Sequence, residues 1–150
     1  MKKDIILAAL AIATLFLTNC SKDDEDSGIK VISSYETWYR TNIKQTDIAN
    51  DQSTLRLILN GYNISSMPEP IYNELNGTFD DYSIIVYTYI YSTTVEKIEY
   101  TPGKGLSIFA KHKYLVNPAK PNPICNFLKI KPKVPNNTPI TLYIEGEKYY

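Results

Sequence analysis

Polar and apolar side chains alternate along much of this chain, with the period of two that marks a strand burying one face. Ile29, Val31 and Tyr35 sit between polar neighbours in an opening strand. Leu55, Leu57 and Leu59 repeat the pattern and stop at Asn60-Gly61, a dipeptide that supplies the positive φ of a tight turn. After a second such pair, Asn76-Gly77, the longest β signal runs over 82–95 and continues through Ile98 and Tyr100. Thr101-Pro102-Gly103-Lys104-Gly105 turns the chain into a hairpin partner over 106–116. Two shorter strands, 127–131 and 140–145, flank the segment 132–139. The stretch 40–53 is polar and irregular with room for at most a helical turn, and 65–70 is a loop. Residues 117–123 hold three prolines and form a loop, because proline cannot donate to a ladder. No helical period and no internal repeat stands out. About seven strands at this spacing predict an all-β domain: an antiparallel β-sandwich of immunoglobulin-like kind, or a small barrel.

One apolar run does not alternate. Met1-Lys2-Lys3-Asp4 leads into 13 residues, 5–17, broken only by Thr14. A membrane-spanning helix needs about 20 apolar residues, so the run reads as the core of a secretory signal peptide rather than a span or a buried N-terminal helix. Next comes Leu17-Thr18-Asn19-Cys20. This tetrapeptide resembles the lipobox of bacterial lipoprotein precursors, in which the cysteine is lipidated and becomes the first mature residue. The resemblance covers the first 20 residues only. It implies that residues 1–19 are removed and that Cys20 carries a diacylglycerol thioether and an N-acyl chain. At about 0.8 kcal/mol per buried CH₂, two or three such chains anchor a protein stably where one would not.

The following segment, 20–27, continues with Ser21 and then Lys22, Asp23, Asp24, Glu25 and Asp26. Five consecutive charges stay solvated and make a flexible tether. A lysine and an acidic cluster just after the cysteine also resemble the surface-export signal of Bacteroidota-type lipoproteins. Asn19, where Gly, Ala or Ser is usual in the general pattern, sits more easily in that group. The resemblance implies an outer-membrane anchor facing the cell exterior, with the periplasmic leaflet as the alternative.

Charge then divides accordingly. The whole chain balances 16 basic against 16 acidic side chains, but the remaining domain, 28–150, is mildly cationic and unevenly so. Acidic residues dominate 28–96 and basic ones 97–150. Such a domain is large enough to bury a core without staples, and it lacks the strong positive balance of a nucleic-acid binder. With Cys20 lipidated, Cys125 is left unpaired, and a single His excludes any scheme needing two.

Four constellations carry candidate chemistry. Tyr87, Tyr89 and Tyr91 share one face of a strand, opposite Ile84, Val86, Thr88 and Ile90. They either form a platform that stacks on sugars or a protein, or cover the second face of the sheet. Lys129, Lys131 and Lys133 alternate with apolar residues, and Lys111, Lys113 and Lys120 lie nearby in sequence. They either meet a polyanion or guard a sheet edge against aggregation. The carboxylates Glu69, Glu74, Asp80 and Asp81 lack any sign of the paired geometry that glycoside hydrolysis needs. His112 and Cys125 would act as a nucleophile couple only if the fold brought them together; otherwise one is solvated and the other is core. No metal or phosphate-binding motif is present, so no cofactor is expected. These features together predict a non-catalytic binding module for a surface glycan or protein. An inhibitor or immunity-type lipoprotein, blocking a protease or toxin through a loop such as 117–123, is the alternative.

Overall fold

The computed structural model describes residues 28–38, 45–62, 64, 67–117, 119, 121 and 123–150. The expected signal peptide, 1–19, Cys20 and the expected tether residues Lys22, Asp23, Asp24, Glu25 and Asp26 lie outside the described residues, as does Lys120.

The architecture is a β-sandwich of two four-stranded sheets. The strands are β1 (Lys30–Trp38), β2 (Thr46–Ala49), β3 (Ser83–Tyr89), β4 (Thr93–Thr101), β5 (Gly105–His112), β6 (Ile124–Lys131), β7 (Ile140–Ile144) and β8 (Glu147–Lys148). One sheet has the order β1-β6-β3-β2 and the other β4-β5-β7-β8, so neither closes into a barrel. All pairings are antiparallel except β5 with β7, which run parallel because the intervening β6 crosses to the first sheet and back. The long signal over 82–100 is thus two strands in different sheets, with the chain changing sheet at 90–92.

Among the described residues, two helices correct the expectation of none. Helix α1 (Gln52–Tyr62) contains the three leucines expected in a strand. Its buried residues are Leu55, Ile58, Leu59 and Tyr62, a helical spacing, while Leu57 is 72% exposed. Asp51 starts it, accepting the Thr54 amide proton at 2.7 Å in the manner of an N-cap. Helix α2 (Glu69–Glu74) occupies part of the expected loop, with Pro70 in its first turn, where a missing N–H costs nothing.

The helices give the first sheet two buried faces. Ile84, Val86, Cys125 and Phe127 pack with α1 and α2. Ile85, Tyr87, Leu128 and Ile130 pack against Ile98, Leu106, Ile108 and Leu142 of the second sheet. Every residue of β3 is buried in consequence. On one side of the sandwich, Tyr150 ties the sheets together, its hydroxyl donating to the Thr88 carbonyl at 2.8 Å while its own carbonyl accepts from Leu142 N–H at 2.9 Å. On the other side, the edge strands β1 and β4 remain apart, each carrying a bulge that irregularises its free edge.

Candidate functional site

Between β1 and β4 the inter-sheet space opens into a cleft of about 320 Å³. Ser34 and Glu36 of β1 face it by strand alternation, opposite Leu128 and Asn126 of β6 in register. Thr93, Thr94 and Val95 of β4 form the facing wall, and Tyr87 of β3 lies deep inside. Lys113, just past the end of β5, stands at the rim.

The polar groups of this cleft are arranged in layers. At the rim, Glu36 accepts from Lys113 Nζ at 3.2 Å and from Ser92 Oγ at 2.5 Å, so its charge is matched. The Glu36 carboxylate holds the Lys113 ammonium above its ordinary range, through the hydrogen bond first and the charge attraction second. Deeper, the Tyr87 and Thr93 hydroxyls lie 2.9 Å apart. Burial pushes the Tyr87 phenol up to about 12, so it keeps its proton at neutral pH. Between Glu36 and Tyr87, in register with both, is Asn126, 4% exposed, whose Nδ2 has no hydrogen-bond partner among the described residues. Native folds rarely leave a buried amide unsatisfied, and such a group calls for an explanation.

The tyrosine triplet falls on the second of its two expected roles. Tyr87 and Tyr89 are buried in the inter-sheet core, not displayed, and Tyr91 lies beyond the end of β3. Tyr89 instead joins a ring cluster, 5.9 Å from Tyr91 and 4.6 Å from Tyr149 between centroids. Its hydroxyl lies 3.0 Å from His112 Nε2, and His112 Nδ1 lies 3.3 Å from Glu145. His112 is therefore packed among aromatic rings rather than solvated between lysines. Glu145 reaches it from the β7–β8 turn, where it and Gly146 both take positive φ, as a tight hairpin turn requires.

Lys129 and Lys131 guard no edge, since β6 lies between β1 and β3, and Lys133 lies past the end of β6. Lys129 pairs with Glu74 at 2.7 Å and lies 3.9 Å from the centroid of the Tyr82 ring. Lys131 pairs with Asp81, and Lys133 donates to the Phe79 carbonyl at 2.7 Å. All three clamp the end of α2 and the segment after it onto the sheet, which also engages two of the candidate carboxylates, Glu74 and Asp81.

Cys125 sits on the helix side of the first sheet and His112 on the side of the second, so the two do not form a couple. Burial raises the Cys125 thiol far above its ordinary range and keeps it inert at neutral pH. Among the described residues, no three His, Cys, Asp or Glu side chains gather as metal ligands would, and no helix is long and apolar enough to cross a membrane. No protein-family model, curated protein or solved structure matches the chain.

Sequence reasoning missed this cleft. Glu36, Thr93 and Asn126 lie far apart in the chain, and only the pairing of β1 with β6 brings two of them together. The one local signal was an asparagine inside the apolar run from Ile124 to Leu128.

Proposed function

We propose that this chain is a bacterial lipoprotein, anchored in the outer membrane through acyl chains on Cys20 and displayed on the cell exterior, whose β-sandwich captures a ligand in the β1/β4 cleft. The anchor rests on the lipobox-like Leu17-Thr18-Asn19-Cys20 and the export-like run Lys22, Asp23, Asp24, Glu25 and Asp26. The single observation that carries the binding role is the buried Asn126 amide, unpartnered among the described residues, in the wall of a cleft open to solvent. Binding suits this lining better than catalysis. Its one carboxylate is neutralised by Lys113, and the groups below it are hydroxyls and an amide.

A second reading, the inhibitor or immunity protein, is favoured by one feature. Tyr114 and Leu115 are 68% and 104% exposed in the segment that follows β5. With Val116, also exposed, they form a run of three consecutive apolar side chains at the surface, and contiguous apolar surface marks contact sites for proteins.

Fractionation and capture test the proposal together. Cys20→Ala moves the protein from membrane to soluble fractions, and protease added to intact cells cleaves the wild type. The immobilised full chain retains cell-surface material, and Ser34→Leu, which narrows the cleft, abolishes retention. A one-to-one protein complex lost with Leu115→Ser but kept with Ser34→Leu selects the second reading. Retention insensitive to both variants removes the cleft from the account.

A further inference from the structure

We infer that the β1/β4 cleft receives one neutral sugar residue, held by the Asn126 amide in its wall. The inference rests on the binding role proposed above and specifies its ligand.

Size is the first constraint. At about 320 Å³, the cleft is at the lower end of small-ligand sites, roughly 300 to 1,000 Å³, which suits a single ring with the rest of a glycan left outside. Charge is the second. Glu36 and Lys113 cancel each other at the rim, and Lys129, Lys131 and Lys133 are engaged with Glu74, Asp81 and the Phe79 carbonyl. An anionic ligand would therefore have to displace Glu36 from Lys113 to find a cation here.

Hydrogen-bonding chemistry is the third constraint. Asn126 Nδ2 offers N–H donors to an oxygen of the ligand. Only one proton of the Tyr87/Thr93 pair is used in their mutual bond, which leaves the other hydroxyl free to donate. Sugar hydroxyls and ring oxygens accept such donors, and sugar hydroxyls also donate in return. Val95 and Leu128 supply apolar surface for the C–H face of the ring.

Asn126 is then a residue retained for binding rather than folding. Its neighbours on the same face of β6, Ile124 and Leu128, are apolar, and a leucine at position 126 would satisfy the core better than an amide lacking a partner.

Saturation-transfer NMR on the full chain, held in a detergent without a sugar headgroup, tests the inference. The probes are methyl α-glucoside, methyl α-galactoside, methyl α-mannoside and N-acetylglucosamine, with glucuronate and galacturonate as acidic counterparts. At least one neutral probe binds in preference to the acidic ones, and Asn126→Leu weakens it about tenfold, the loss expected for one hydrogen bond. Ser34→Leu, at an exposed position on the wall, blocks the same signal without touching the buried core. Binding of the acidic probes alone, or of a neutral probe unaffected by both variants, overturns the inference. If no sugar binds while captured material still depends on Ser34, the sugar assignment fails and the binding role stands. If neither depends on the cleft, both fail.

Discussion

Asn126 and Asp51 show how the same kind of polar side chain serves two ends. Asp51 is exposed and satisfied: its carboxylate accepts from the Thr54 backbone at 2.7 Å and from the Thr54 hydroxyl at 2.8 Å. Those bonds, the backbone one foremost, hold its acid below the usual 3.8. A depressed carboxyl stabilises the fold above pH 3.8 and loses that contribution as the pH falls through its lower folded value. Asp51→Ala should cost about 1 kcal/mol at neutral pH, the usual worth of an N-cap. Denaturant titrations should show the deficit shrinking in strong acid; a deficit that persists there would mean that Asp51 acts by something other than its charge. Asn126, by contrast, is buried and lacks a partner among the described residues, a situation that costs about 1 to 3 kcal/mol. The chain near position 126 shows only an asparagine in an apolar run, because the cleft exists only once β1 and β4 have taken their places.

At the scale of elements, strand signals were legible wherever one face meets solvent or the strand is long. The hairpin of β4 and β5 around Thr101 to Gly105 is such a case: Gly105 takes a φ of 121°, and a Cβ there would collide with the Pro139 carbonyl. Helix α1 was misread for a physical reason. Three leucines at spacing two satisfy a strand pattern, and the helical set of Leu55, Ile58, Leu59 and Tyr62 hides among them. Asp51 caps the start of α1 through the Thr54 amide, and Asn60-Gly61 falls in its last turn instead of ending a strand. The lysines of β6 were legible as an alternating set but not as a clamp, since their partners come from the end of α2 and the segment after it. That clamp is graded. Lys129 is three-quarters buried between Glu74 and the Tyr82 ring, whereas the Lys131–Asp81 pair is largely exposed. Lys129→Ala should therefore cost about 2 kcal/mol and Lys131→Ala less than about 1 kcal/mol. Equal losses in denaturant unfolding would show that α2 is held by its apolar contacts alone.

At the scale of the whole molecule, the uneven charge of the two halves of the sequence disappears into the fold. Lys111–Glu96, Lys113–Glu36, Lys129–Glu74 and Lys131–Asp81 each join a base from 97–150 to an acid from 28–96. The tyrosines, which the sequence made prominent without showing their orientation, are as much structural as displayed. Burial raises Tyr62, Tyr82, Tyr87 and Tyr150 above the ordinary 10.0, with Tyr82 and Tyr87 reaching about 12. Groups raised in this way favour the fold fully below pH 10, and their contribution is lost as the pH climbs from there toward 12. Alkaline titration should show exposed tyrosines ionising first and a buried set ionising only with cooperative unfolding. A single smooth tyrosinate transition, with the fold intact, would contradict this burial.

The central claim is that one buried amide is kept for a ligand at the expense of stability, and thermal unfolding of the full chain carrying Asn126→Leu tests it most directly. The account predicts a melting temperature equal to the wild type or several degrees higher, because an unsatisfied donor is replaced by apolar volume at the edge of a cleft with room to accept it. A fall of more than about 5 °C would show that Asn126 holds the sandwich together, and would contradict its assignment to a binding site.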